Sequence, residues 1–206
     1  MITICQEIKD YLYRNLSENR YSHTISVEKE CQRLAELFSL SSEDKDILCR
    51  AALLHDITKE KTPDEQIELC RVYNINYTKE KIATPSLFHA VTGAKFAKER
   101  FPLFCTDEVS EIIRTHTTGA ENMTLLQKLL FLADTIEETR RHKSCVELRN
   151  YFWSAAHDQD PYILLDNTLV KSLDMTVQFL LNSGMVIDIE TVKARNYLLM
   201  YHEVKK

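Results

Sequence analysis

Ala51-Ala52-Leu53-Leu54-His55-Asp56-Ile57-Thr58-Lys59 is the stretch around which the rest of the chain is organised. A small apolar run precedes an adjacent His-Asp pair, and a lysine follows within one turn. Because residues three and four apart share one side of a helix, we predict that His55, Asp56 and Lys59 face the same way. The Ala/Leu run would then pack into the core. An imidazole and a carboxylate can bind a metal while an ammonium neutralises a phosphate, so the pattern favours a metal centre that binds an oxyanion.

A His-Asp dipeptide carries little information by itself, since so short a motif often arises by chance. The chain contains a second pair, His157-Asp158, just before Asp160-Pro161. Its polar, charge-rich context is typical of a loop. His142 and His202 lie in similar contexts. We therefore predict that His142, His157 and His202 play no role in the metal centre.

Composition indicates a helical, globular protein. The chain has 206 residues, 44% of them hydrophobic and 28% charged, which suits a single domain with a sizeable core. Only 3 glycines and 4 prolines are present. Since these residues favour the turns between strands, so few of them argue against a fold with many strands. The net charge of −5 argues against a nucleic-acid surface, so an anionic ligand must meet a local basic cluster.

Cysteine usage and hydropathy predict a cytoplasmic protein. The 6 cysteines are scattered without a CxxC spacing, as expected of reduced thiols. The first residues lack a basic segment followed by an apolar one, and no apolar run approaches the roughly 18 residues of a membrane span. We expect no association with a membrane.

Hydrophobic periodicity predicts an all-α fold of about nine or ten helices. Side chains suited to capping mark where several of them begin, and Gly184 suits the residue after a helix end. The predicted caps are Ser17, Ser41 or Ser42, Thr62 with Glu65, Thr124 with Gln127, and Asp160 before Pro161. We predict that the segment from Asn74 to Pro85 is irregular. Gly93 falls inside a helical pattern, which suggests close helix packing or the approach of a ligand.

Six residues form the candidate metal constellation: His23, His55, Asp56, His89, His116 and Asp134. Apart from the adjacent pair, each falls on a different predicted helix or helix end, which is how a helical bundle assembles a buried metal site. Four imidazoles and two carboxylates suit iron, manganese, cobalt, nickel or zinc better than magnesium or calcium. A carboxylate between two ions could bridge them.

Each member also has an ordinary structural explanation. His23 could be a surface histidine on an exposed turn, His55 a core histidine and His89 a partly buried helix residue. Asp56 could be a turn carboxylate, His116 a cation at a helix end, and Asp134 the partner of Arg140 in an ion pair. The joint pattern, rather than any single member, favours the metal site.

The order His, His-Asp, Asp resembles that of the HD-domain metal-dependent phosphohydrolases. Longer stretches, spanning about residues 17 to 200, narrow the resemblance: Arg20-Tyr21-Ser22-His23-Thr24, Leu53-Leu54-His55-Asp56-Ile57-Thr58-Lys59, His89-Ala90-Val91-Thr92-Gly93-Ala94, His116-Thr117-Thr118-Gly119, Phe131-Leu132-Ala133-Asp134-Thr135-Ile136-Glu137 with Arg140, Asp166-Asn167-Thr168 and Ala194-Arg195-Asn196. On these stretches the chain resembles the YqeK-type symmetrical dinucleoside tetraphosphatases. The chain departs from that family at Glu138, where proline is usual, and at Ala90, where glycine is usual.

The resemblance implies one HD-type domain over residues 1–206. This is an all-α helical bundle with a metal-binding core at about 17–140 and additional C-terminal helices at about 144–204 that complete the nucleotide pocket. It implies hydrolysis of diadenosine tetraphosphate, a dinucleoside polyphosphate, into two ADP. The segment Asn182 to Asp188 would lie near the base.

The same resemblance implies roles for individual residues. An iron-type ion would be held by His23, His55, Asp56 and Asp134. His89 and His116 would hold a second ion or touch the phosphate, and together with Asp56 and Lys59 they form the expected catalytic set. The ADP portion would contact Arg20, Lys59, Thr117 and Arg140.

Two alternatives remain open. One is a different HD phosphohydrolase, acting on nucleoside monophosphates or cyclic nucleotides. The other is a nucleotide-binding regulator with a metal site but no turnover. The sequence also leaves open the metal and the number of ions, the preference for adenine over guanine, and whether the chain forms a homodimer.

Overall fold

The architecture is a bundle of helices. The computed structural model describes residues 2–77 and 84–201, with side chains from residue 6 onward. Every regular element in these ranges is helical, which confirms the all-α prediction. The helices are α1 (Ile2–Asn15), α2 (Glu18–Leu37), α3 (Ser42–Leu54), α4 (Pro63–Val72), α5 (Phe88–Arg100), α6 (Asp107–Thr115), α7 (Leu125–Ile136), α8 (Lys143–Ala155), α9 (Pro161–Asn182) and α10 (Ile189–Tyr201), with a 3-10 turn at Pro85–Leu87 before α5.

The helices begin where the capping residues predict. The Ser17 hydroxyl accepts from the backbone N–H of Arg20 at the start of α2. Ser41, rather than Ser42, caps α3. Thr62 and Thr124 each form the reciprocal capping box with the residue three positions on. These starts depend only on contacts between near neighbours in the chain, which explains why they could be predicted.

Helix α7 lies at the centre of the core. Leu129, Leu130, Leu132, Ala133 and Ile136 on this helix have no exposed surface. Helices α2, α3, α6, α8 and α9 pack around α7. Because α7 is apolar on nearly every side, each helix around it must turn its own apolar side toward α7. Their inward-facing polar side chains are therefore brought to the end of α7.

The His-Asp pair lies in consecutive turns after α3, not on a helix face. The α3 helix ends at Leu54, and the N–H of Ile57 and of Lys59 donate to carbonyls three residues earlier, at 3.2 and 2.9 Å. The expectation that the helix continues through Lys59 is therefore wrong. His55, Asp56 and Lys59 nevertheless face one place, since His55 lies against Asp56 and both Asp56 and Lys59 lie against His89. Tertiary contacts hold this turn instead, since the Thr58 hydroxyl donates to the carbonyl of His89 at 3.1 Å.

Gly93 of α5 packs directly against that turn. A Cβ at Gly93 would lie 3.2 Å from the Thr58 hydroxyl and 3.5 Å from the carbonyl oxygen of His55. The close packing predicted at this glycine is confirmed. The absence of a side chain lets the backbone of α5 approach the turn that carries the His-Asp pair.

The remaining predictions concern irregular segments. The second pair, His157-Asp158, lies in a turn after α8, and His157 is exposed, as predicted for a loop. Residues 74–77 are irregular, while residues 78–83 and His202 lie outside the described residues.

No disulfide joins the cysteines whose side chains are described. Within the described ranges, none of the helices is both long and apolar enough to cross a bilayer.

Two glycines with left-handed backbones allow a prediction about α10. Gly119 (φ +69°) follows the His116 segment, and its Cβ would lie only 2.9 Å from Cβ of Ala194 on α10. Gly184 (φ +62°) has a similar backbone but open space around it. Gly184→Ala should lower the free energy of unfolding by about 1 kcal/mol, whereas Gly119→Ala should lower it by about 2–3 kcal/mol because it adds a clash to the backbone strain.

Urea unfolding of both variants measures this difference. Equal losses would show that α10 does not pack tightly against the loop after His116.

Candidate metal centre

The six predicted residues meet at one buried place. His23 comes from the interior of α2, His55 and Asp56 from the turn after α3, His89 from the start of α5, His116 from the end of α6, and Asp134 from the last turns of α7. The histidines and Asp56 are at most 6% exposed. The explanation of His23 as a surface residue is therefore wrong. Distant segments converge here because each is anchored to α7 or its neighbours.

One half of the site is formed by His23, His55 and Asp134. Their nearest ligand atoms all lie within 4.8 Å of one another. The Nε2 of His23 is 3.0 Å from Oδ1 of Asp134, and the Nε2 of His55 is 3.9 Å from the same oxygen. This spacing is compatible with one ion that contacts all three side chains.

The other half is formed by Asp56 with His55, His89 and His116. The Oδ1 of Asp56 is 3.2 Å from Nε2 of His89 and 3.7 Å from Nε2 of His116. Its Oδ2 is 3.3 Å from Nε2 of His55 and 3.6 Å from that of His23. The two oxygens of Asp56 thus face different sets of histidines, so this carboxylate could provide a ligand to either half of the site.

All four imidazoles turn the same nitrogen toward the centre. Three of them place Nδ1 at 2.6–2.7 Å from the carbonyl of the residue three positions earlier; the pairs are His55 with Ala52, His89 with Ser86, and His116 with Ile113. The Nδ1 of His23 lies 3.0 Å from a carboxylate oxygen of Glu137. Since carbonyl and carboxylate oxygens can only accept, Nδ1 carries the hydrogen, and in the neutral form of each ring Nε2 presents its lone pair.

These lone pairs test whether a metal fits. The Nε2 atoms of His23 and His55 are buried, and neither makes a hydrogen bond within the described chain. Both instead face carboxylate oxygens, which also carry lone pairs. An unsatisfied buried polar atom costs about 1–3 kcal/mol, and a cation between these atoms would remove that cost. The nitrogen and oxygen donors fit a divalent transition metal.

The carboxylates are held in their anionic form. Burial by itself would raise the pKa of Asp56, but the adjacent imidazoles of His55, His116 and His89 hold it well below its ordinary value. Burial likewise opposes the charged form of Asp134, yet the adjacent imidazole of His23 and the charge of Arg140 hold its pKa well below the ordinary range. Both carboxylates are therefore ready to act as ligands.

The histidines differ in their affinity for protons. Burial lowers the pKa of His89 to about 4, with a further contribution from the nearby charges of His116 and Lys59. Burial also disfavours a proton on His23, but the adjacent carboxylates of Asp134 and Glu137 outweigh it and raise the pKa to about 8. His89 is thus neutral near pH 7, as a metal ligand must be.

Three cations surround the centre. Arg20 Nη1 donates to Oδ2 of Asp56 at 2.5 Å, and Arg140 Nη2 donates to Oδ1 of Asp134 at 2.6 Å. Lys59 Nζ lies 3.3 Å from Nε2 of His89. These are the side chains predicted to contact phosphate. Glu138, where the family usually has proline, is exposed, and Arg140 reaches Asp134 with glutamate at that position.

Thr117 also belongs to the site. Its hydroxyl lies 3.2 Å from Nε2 of His89 and 3.1 Å from Nε2 of His116. On the opposite side, a groove of about 490 Å³ opens beside His23. It is lined by Ser17, Asn19, Arg20, Glu60, Glu137, Thr139, Arg140, Arg141 and His142. The side chain of Arg140 is 37% exposed, so an anion in this groove could reach it.

Sequence reasoning missed the groups that support the ligands. Glu137 is fully buried against His23, although its sequence context gave no sign of burial beyond its place after an apolar helix. A second set joins the His-Asp turn to α5: Gln66 Nε2 donates to the Thr58 carbonyl at 2.6 Å, and the Thr92 hydroxyl donates to Oε1 of Gln66 at 2.6 Å. Polar residues on amphipathic helices usually face solvent, so these two gave no signal.

Comparison with known proteins identifies the family of the chain. The sequence profile described as HD domain matches residues 20–139, which include every residue of the candidate centre. The chain therefore belongs to the HD domain family.

Several known proteins are similar to this chain over nearly its whole length. A protein of Halalkalibacterium halodurans named bis(5'-nucleosyl)-tetraphosphatase, symmetrical, is 32% identical over 186 residues, covering 90% of this chain and 92% of that protein. A Bacillus subtilis protein of the same name is 29% identical over 192 residues, with the same coverage. A solved structure from Clostridium acetobutylicum, described as a predicted HD superfamily hydrolase involved in NAD metabolism, is 33% identical. It superposes with a TM-score of 0.81 over 94% of this chain and 96% of that one.

Proposed function

We propose that this protein is a metal-dependent hydrolase that cleaves diadenosine tetraphosphate symmetrically into two molecules of ADP. The observation that carries the proposal is the donor set of four buried histidines, the buried Asp56 and the partly exposed Asp134, with Arg20, Lys59 and Arg140 directly around it. A metal site ringed by cations suits a polyanionic substrate. The similar proteins named as symmetrical tetraphosphatases support the choice of that substrate.

In this proposal His23, His55, Asp56 and Asp134 hold a divalent ion, with iron as the expected metal. His89 and His116 hold a second ion or contact the phosphate. When bound, such a metal lowers the pKa of a coordinated water toward neutrality and withdraws charge from a phosphoryl oxygen. Asp56 lies between the two halves of the site and keeps its charge, so it can serve both.

The cations account for the rest of the chemistry. In the reaction, the oxygen of water bonds to one of the two central phosphorus atoms, and the bond from that phosphorus to the bridging oxygen between them breaks. The leaving ADP keeps that oxygen and its negative charge. Arg20 and Arg140 can balance the charge as planar donors of two hydrogen bonds, and Lys59 as a compact ammonium. The Thr117 hydroxyl can donate to a phosphate oxygen from the opposite side.

The C-terminal helices are proposed to complete the nucleotide pocket. Helix α10 packs on the loop that carries Thr117, through the contact of Ala194 with Gly119. Asp188, at the start of α10, lines a small cavity together with Thr118 and Phe88. Phe88 and Thr118 are the chain neighbours of His89 and Thr117. Their shared cavity with Asp188 supports a base site near the segment 182–188.

Product analysis tests the proposal. Protein prepared without chelator should convert diadenosine tetraphosphate to ADP alone, as resolved by anion-exchange chromatography, and chelation should stop the reaction. Equal amounts of ATP and AMP would contradict symmetrical cleavage. Faster turnover of a nucleoside monophosphate, a cyclic nucleotide or NAD would replace the proposed substrate. Metal and nucleotide binding without any turnover would identify a regulator.

A further inference from the structure

His23 is held differently from the other three histidines. His55, His89 and His116 stand at helix ends and use a backbone carbonyl three positions earlier. His23 lies inside α2, where backbone carbonyls accept the N–H groups of the helix itself. Its Nδ1 must therefore find an acceptor elsewhere. That acceptor is Glu137, which is 114 positions away in the chain.

Glu137 is built into the fold as an anion. Its side chain has no exposed surface. Its Oε2 accepts from the backbone N–H of Thr139 at 2.6 Å, and its Oε1 accepts from the Thr139 hydroxyl at 2.7 Å. Each carboxylate oxygen thus has a donor besides His23. A buried charge needs such partners, and here they also fix the direction in which the carboxylate points.

The turn that carries Glu137 is itself anchored. The guanidinium of Arg149, on α8, donates to the backbone carbonyls of Ile136, Glu137 and Arg140. In the same turn, the N–H of Arg140 donates to the Glu137 carbonyl at 3.2 Å. The side chain of Arg140 then reaches Asp134. A single turn therefore supports both the acceptor of His23 and a cation of the phosphate site.

We propose that Glu137 is a positioning residue for the metal centre, which sets the tautomer and the orientation of His23 and so strengthens its bond to the ion. A carboxylate is a stronger acceptor than a carbonyl, so it draws the Nδ1 hydrogen and increases the basicity of Nε2. Such outer partners of ligating histidines contribute about 10–100-fold to metal affinity or activity. The inference rests on the proposed role of His23 as a ligand but not on the identity of the substrate.

The variant Glu137→Gln tests this role, with Glu138→Gln as the matched control. The two glutamates are adjacent, but Glu138 is exposed. Glutamine keeps the size of the side chain, loses the charge and places an amide NH₂ beside donors. We expect the affinity for Mn²⁺, measured by calorimetry without substrate, to fall about 10-fold in Glu137→Gln and to stay unchanged in Glu138→Gln.

A second readout separates positioning from a purely structural role. In the zinc-loaded protein, the ¹⁵N shifts of His23 should report hydrogen on Nδ1 and metal on Nε2, and this pattern should weaken in Glu137→Gln. A variant that is less stable but has wild-type Mn²⁺ affinity and unchanged shifts would overturn the proposal. If Glu137→Gln does not fold, Thr139→Val removes one donor to the same carboxylate. Its Mn²⁺ affinity should fall by a smaller factor, and unchanged affinity would overturn the proposal. Because these measurements need no substrate, they remain valid if the proposed reaction fails.

Discussion

Replacing His55 with alanine should abolish hydrolysis, whereas replacing His157 with alanine should leave it almost unchanged. Both residues begin a His-Asp pair, so the comparison isolates the effect of position. His55 is fully buried and belongs to both potential ligand groups, one with His23 and Asp134 and one with Asp56 and His116. Its loss therefore removes a ligand from each half of the site. His157 lies exposed in a turn after α8.

Steady-state kinetics on diadenosine tetraphosphate measures the loss, and elemental analysis of the purified proteins should show less metal in His55→Ala alone. Circular dichroism controls for folding, because alanine leaves a cavity at a buried position. Equal losses of turnover in two folded variants would mean that the wrong pair had been assigned to the site.

Lys59→Met should spare metal content and folding yet lower kcat/KM by about 10²-fold, equivalent to about 2.7 kcal/mol of transition-state stabilisation. The ammonium of Lys59 lies 3.3 Å from Nε2 of His89, at the centre and not in bulk solvent. Burial lowers its pKa, although the charges of Asp56 and Asp134 oppose that shift. Methionine keeps the apolar stem and removes only the charge.

Lys61→Met is the matched control. Lys61 lies two positions further on, and its ammonium is 3.7 Å from Glu65 in an ion pair at the surface. A pair of this kind contributes about 0–1 kcal/mol, so this variant should retain its kcat/KM. Lys59→Arg should recover the charge but only part of the rate, because a guanidinium fork is broader than an ammonium. Wild-type kcat/KM in Lys59→Met would remove Lys59 from the site.

The carboxylate of the adjacent Glu60 does not hold Lys59 at the surface. The Glu60 carboxylate instead accepts from the backbone N–H and the hydroxyl of Ser17, at the start of α2. The turn after the His-Asp pair is thereby joined to the helix that carries Arg20 and His23. Lys59 is left to face His89.

Local features were predictable from the sequence by itself. The capping boxes at Thr62 and Thr124 and the break at Gly184 depend on bonds between residues a few positions apart, so they follow from the order of residues. The candidate ligands were also identifiable, because a carboxylate such as Asp134 at the end of so apolar a helix requires a partner. Each of these conclusions needs only the chain neighbours and the chemistry of the side chain.

Other features were decided by tertiary structure. The end of α3 at Leu54, the orientation of Lys59 toward His89 and the burial of Glu137 against His23 all depend on contacts between segments far apart in the chain. The sequence determined which residue types were present to bind a metal and a phosphate. Packing around α7 decided which nitrogen of each histidine faces the centre, because the acceptor for the other nitrogen is supplied by the local backbone at a helix end but by a distant carboxylate inside a helix.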